Sequence, residues 1–264
     1  MLAIPAVLVA VSFLSADLRR SLVLHYVRPT LVTMYTSHFV HAGVEHLLAN
    51  LLVYLSVVPF SLLVSIRNGD RRQFYVVAIT FLTVFPFVFS LLNVLFPRPR
   101  VGLGFSGINL AFVGYLPHVL ADALEEHRGE SGGLADPLLP LAFFLGTAIV
   151  TAQLARSIGL HDVREYDWLV LAGVGSLLVS AALLWPVVGE LRAVASDDGG
   201  GLPAVVGFGG ALYVLMVLVG FPTVPAEGGG LINLLVHFLG FSFGYVVPYV
   251  AFRLLEVDVT ATTS

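Results

Sequence analysis

The chain has 264 residues, 58% of them hydrophobic and only 11% charged, with a mean hydropathy of +0.94. A soluble domain carries about 25% charged residues, so this composition excludes an ordinary water-soluble enzyme and points to an integral membrane protein. There is no cysteine, which removes disulfides, thiolate nucleophiles and Cys-based metal sites. The net charge is −4 and every one of the 13 basic residues is arginine, which leaves no basic patch for nucleic acid and suits a salt-loving, archaeal-type host.

Residues 1–16 are apolar and uncharged and lack the positive flank of a signal peptide, so they read as a short first span. Residues 17–37 form a mixed linker with Arg19, Arg20, Arg28 and Pro29, suited to amphipathic structure in the membrane interface. A second span covers 43–66, with His38, His41, Glu45, His46 and Asn50 gathered about its start. The arginine-rich turn 67–72 leads into a third span, 74–96, which Pro97 and Pro99 end by withholding backbone donors. A fourth span, 106–121, is entered directly from Gly104, and His118 near its far end reads as interfacial. Residues 122–136 read as an acidic loop. Further spans are expected at 137–155, 168–188, 205–224 and 231–252, with Trp168 and Trp185 placed where aromatic belts lie and a polar tail beginning at Arg253.

Each span is close to the ~20 residues that a ~30 Å hydrocarbon core requires. Backbone groups in lipid must be satisfied internally, so the spans are helices. The expected fold is therefore all-α, a single polytopic membrane helix bundle of about eight transmembrane helices over 1–264, inserted in the lipid bilayer of the cell membrane. Arginines divide almost evenly between the two sides. The dense turn 67–72 places its own loop, and with it both termini, in the cytoplasm.

Polar groups inside spans are costly, so each one suggests a site or an internal partner. Ser106 stands between Gly104 and Gly107 at the mouth of an apolar run, where unpaired helix N–H groups suit a developing oxyanion. Taken alone, a serine at a helix start is more often an N-cap. His46 and Asn50 are four apart and share a helix face. His237, Gly240 and Gly244 share another face, of the small-residue kind that lets two helices approach closely. The second, fourth and eighth spans run in the same direction. His46, Asn50, Ser106 and His237 all lie near the starts of these spans, so all four can sit at one shallow depth.

These pieces, His41-x4-His46-x3-Asn50, Gly104-Phe105-Ser106-Gly107 and His237-x2-Gly240-x3-Gly244, resemble the rhomboid family of intramembrane serine proteases in order and placement. The resemblance implies a serine endopeptidase with Ser106 as nucleophile and His237 as general base, and with no metal or other cofactor. His46 and Asn50, with the Ser106 backbone N–H, would form the oxyanion hole. His41, Gly104, Gly107, Gly240 and Gly244 would support the site. It also implies transmembrane protein substrates cleaved near one membrane face at weak, Gly/Ala-type segments. A non-proteolytic protein of the same fold, acting in binding or quality control, is the alternative.

Three departures accompany the match. Extra helices over roughly 137–224 separate the serine and histidine spans, where the family core has one. The first loop reads Val32-Thr33 in place of a common Trp-Arg pair. Leu110 stands where an aromatic often stacks on the histidine.

Overall fold

The computed structural model describes residues 2–95, 100–128, 135–158, 167–196, 201–222 and 234–255. The helices in chain order are α1 (Ala3–Ser12), α2 (Ala16–Ser21), α3 (Leu31–Thr36), α4 (Val44–Arg67), α5 (Arg71–Thr83), α6 (Phe85–Val94), α7 (Ser106–Arg128), α8 (Ala135–Ile158), α9 (Asp167–Ser196), α10 (Leu202–Gly220) and α11 (Leu234–Pro248). A π-helical turn, Tyr249–Leu254, extends α11. Two short strands, β1 (Leu24–His25) and β2 (Val101–Gly102), pair antiparallel.

Seven of the expected spans are helices long and apolar enough to cross a membrane, among the described residues. The protein is a multi-pass integral membrane protein. The remaining expected span, the first, is the ten-residue α1. At 1.5 Å per residue that is about 15 Å, roughly half the hydrocarbon core. Its buried Leu8 packs it against α4. The third expected span contains a break at Val84, because Pro86 lacks an N–H and its ring crowds the carbonyl four residues earlier. Together α5 and α6 still make one span, 71–94.

α7 is the axis of the bundle. α4, α5, α6, α8, α10 and α11 all pack on it, and 94% of its apolar window is buried. Its seam with α11 is backbone against backbone. A Cβ on Gly240 would run into the Gly107 carbonyl, one on Gly244 into the Ala111 carbonyl, and one on Gly114 into the Phe241 carbonyl. Small residues on both sides therefore set the helix separation, as membrane helices do when no hydrophobic force draws them together. By contrast α9 lies outside, packed chiefly on α8, with only 17% of its window buried.

The linker folds into capped pieces. The Ser15 side chain accepts from the Leu18 N–H at the start of α2, and Thr30 and Thr33 form a reciprocal capping box on α3. The β1–β2 pair then ties this first loop to the segment that precedes Ser106, reinforced by Tyr26 N–H donating to the Arg100 carbonyl. This pairing was not expected from the sequence. Two expectations are corrected here. α7 continues to Arg128, so Asp122, Glu125 and Glu126 are helical rather than part of a loop. His118 is buried rather than interfacial, its Nε2 lying 2.9 Å from the Tyr245 carbonyl. The end of the seventh expected span at Val224 and the start of the eighth at 231–233 lie outside the described residues.

Candidate active site

Ser106 is the first residue of α7, and the chain before it is held from both sides. Gly104 has φ +107°, a conformation L side chains rarely adopt, and a Cβ there would come within 2.9 Å of His46 Nε2. The Gly104 N–H donates to the Ser37 carbonyl at 3.1 Å. Phe105 is fully buried between the rings of Phe39 and Tyr54, at centroid distances of 5.6 and 6.0 Å. These contacts leave the Ser106 side chain little choice but to face the start of α11.

There it meets His237, whose Nε2 lies 2.7 Å from Ser106 Oγ, within the reach of a general base. The two residues are 131 positions apart in sequence and come together only because the α7–α11 seam is so close. His237 Nδ1 lies 2.7 Å from the Gly220 carbonyl at the end of α10. Phe221 stands edge-on to the imidazole, 6.0 Å between centroids at 82°. The sequence had suggested that His237 lacks an aromatic neighbour because residue 110 is leucine. The aromatic arrives instead from the residue that follows α10.

Asn50 is locked by a chain of bonds that two main-chain carbonyls determine. Its Nδ2 donates to the His46 carbonyl at 2.8 Å, which fixes the orientation of the amide. Asn109 Nδ2 donates to the Asn50 carbonyl at 2.9 Å and to Asn50 Oδ1 at 3.0 Å. One hydrogen on Asn50 Nδ2 remains free of these partners. Ser106, His237, His46, Asn50, Asn109 and Gly104 line one cavity of about 920 Å³, which extends outward to Glu45 in the first turn of α4 and to Arg100.

His41 is buried behind this wall, its ring edge-on to His46 at 5.0 Å. Burial, and then the neighbouring His46, lower its pKa to about 4, so it stays neutral around pH 7. Gly107 abuts Val236 and Phe89, and Gly240 and Gly244 lie on the seam rather than in the cavity.

A family profile described as Rhomboid domain matches residues 28–189. The chain belongs to the rhomboid family. The matched stretch contains His41, His46, Asn50 and Ser106 and stops short of His237, which this rhomboid carries on α11. Searches of curated proteins and of solved structures return no match.

Two features of this rhomboid escaped the sequence reading. Asn109 is one; a polar residue three after Ser106, inside an apolar run, was the signal available. The other is a charged cluster at the opposite end of the α7–α11 seam. Arg253 pairs with both carboxylate oxygens of Glu125, at 2.9 and 2.7 Å, and with Asp122 at 2.5 Å. Gln73 donates to Asp122 at 3.2 Å.

Proposed function

We propose that this rhomboid is an intramembrane serine endopeptidase. The observation that carries the reading is the 2.7 Å contact between Ser106 Oγ and His237 Nε2 on the wall of a large cavity. A serine hydroxyl is a weak nucleophile until a base takes its proton. In the reading, His237 Nε2 accepts that proton as Oγ attacks the scissile carbonyl carbon, and the carbonyl oxygen becomes an oxyanion. The Ser106 N–H, the free Asn50 Nδ2 hydrogen and a His46 N–H donate to it. His237 then gives its proton to the departing amine nitrogen, leaving an acyl-serine. Water enters the cavity, loses a proton to Nε2 and attacks the ester. Oγ leaves and regains the proton, and the second fragment departs as a carboxylic acid.

The substrates fitting this site are transmembrane helices that unwind close to the membrane face on which α4, α7 and α11 begin. A peptide bond in a regular helix has its carbonyl tied to a backbone N–H, so segments weakened by glycine, which costs a helix about 1 kcal/mol relative to alanine, reach Ser106 first. The test is cleavage of such a substrate in liposomes. The wild type is expected to yield two fragments, and the Ser106→Ala and His237→Ala variants none. A folded wild type that binds the substrate and leaves it whole would instead favour a non-proteolytic family member.

A further inference from the structure

Ser-His sites commonly rely on a third group that orients the histidine, and a carboxylate usually supplies it. Among the described residues, the partners of His237 include no carboxylate. Its Nδ1 is nevertheless occupied, 2.7 Å from the Gly220 carbonyl. A carbonyl oxygen can only accept, so Nδ1 carries the proton. In a neutral imidazole Nε2 is then left with its lone pair, directed at the Ser106 hydroxyl.

Gly220 is the last residue of α10. The carbonyls of a final helical turn lack intrahelical partners and carry the negative end of the helix dipole. Ser106, by contrast, opens α7, at the positive end of that helix's dipole. The two helix ends thus face the dyad with opposite polarity, the negative one at the imidazole and the positive one at the hydroxyl.

We propose that the Gly220 main-chain carbonyl, at the C-terminus of α10, is the third member of the site: it holds His237 in the Nδ1–H tautomer and stabilises the imidazolium formed when Ser106 loses its proton. This inference rests on the dyad reading above. It also accounts for two residue choices. A Cβ at position 220 would sit 2.5 Å from the Leu110 side chain, so glycine lets the end of α10 reach the dyad. Leu110, in turn, is compact enough to leave that approach open, and Phe221 follows edge-on against the imidazole. The last residue of α10 and the one after it therefore provide both contacts, acceptor and aromatic, that position 110 does not. The helix is itself anchored by Tyr213 Oη donating to the Ala142 carbonyl at 2.6 Å and by the packing of Gly209 on Leu120 and Phe60.

The experiment reads the histidine directly. In protein with ¹⁵N-labelled histidine at pH 7.5, His237 is expected to show a protonated Nδ1 with a strongly downfield proton, in the wild type and equally in Ser106→Ala. Replacing Phe221 with phenyllactic acid keeps the side chain but turns the Gly220 carbonyl into an ester carbonyl, a weaker acceptor. That change should move the Nδ1 proton upfield and lower kcat several-fold at unchanged KM. Gly220→Val should push the helix end away from Leu110, abolish the downfield signal and lower kcat by about 10- to 100-fold. An Nε2–H tautomer in the wild type would overturn the proposal, as would an ester variant with unaltered signal and kcat. A serine-directed fluorophosphonate separates the two levels of the argument. If Ser106 is labelled but the tautomer is wrong, only the role of Gly220 falls; if Ser106 is not labelled, the dyad falls first.

Discussion

The α7–α11 pair carries a polar cluster at each end, and the two are built on different terms. At the C-terminal end, Arg253 is matched by Asp122 and Glu125, and Gln73 takes up part of what remains. One guanidinium thus holds two carboxylates. At the N-terminal end, serine, histidine and asparagine side chains line a cavity of about 920 Å³. Asn50 keeps a free hydrogen, and Ser106 and His237 share one bond between them. A costly polar residue in a membrane helix is therefore an ambiguous sign. It marks a clamp where the partners close on themselves, and a candidate site where donor capacity faces open space.

Substitutions at the two ends should accordingly separate chemistry from cohesion. The largest expected effect is at the cavity: Ser106→Ala should lower cleavage by about 10⁴-fold or more while the thermal unfolding midpoint in detergent stays put. Cleavage surviving in that variant would remove Ser106 from the chemistry. Next comes the oxyanion region. Asn50→Ala should raise the barrier by about 3 kcal/mol, seen in kcat, if its free Nδ2 hydrogen meets the oxyanion. Asn109→Leu, which unlocks the Asn50 amide, should cost about tenfold, and little further when added to Asn50→Ala. Additive losses would mean that the two asparagines act separately.

Gly240→Val tests the seam itself. The new side chain meets the Gly107 backbone, which cannot yield as a flexible side chain would. Separation of about 1 Å can cost about 100-fold in rate, so kcat should drop by that order with KM preserved. Wild-type kcat in both detergent and liposomes would show that the helix contact does not position His237. The smallest catalytic effect belongs to the charged end. Arg253→Met should destabilise by about 1.5–3 kcal/mol by leaving part-buried carboxylates unpaired, yet keep kcat per folded molecule within about twofold. A large loss of kcat at unchanged stability would instead tie the clamp to the chemistry.

The contrast also explains what the sequence revealed and what it withheld. The apolar spans and the glycine faces were legible, because each depends on local sequence along one helix, and the meeting of His46, Asn50, Ser106 and His237 in one cavity followed from their places near the starts of three spans. The closeness of α7 and α11 could be anticipated from Gly240 and Gly244, since only small residues allow it. Partners drawn from distant helices were hidden. Asp122 and Glu125 looked like loop residues because charge normally ends an apolar span, and only the ion pairs with Arg253 show why α7 carries them. His118 was misread for the same reason: its partner is a main-chain carbonyl of Tyr245, which no side-chain pattern announces. The Gly220 carbonyl and the edge-on Phe221 were equally out of sight, because Leu110 signals only that an aromatic is missing and not what replaces it. The half-length of α1 and the β1–β2 pairing rest on tertiary packing that hydropathy does not encode.

The central claim is that Ser106 is a nucleophile activated by His237. The most direct measurement is the intact mass of the purified protein after treatment with a fluorophosphonate, with peptide mapping of the adduct. A single adduct on Ser106 is expected in the wild type, and none in Ser106→Ala or His237→Ala under the same exposure. No adduct on folded wild-type protein, or equal labelling of Ser106 without His237, would contradict it.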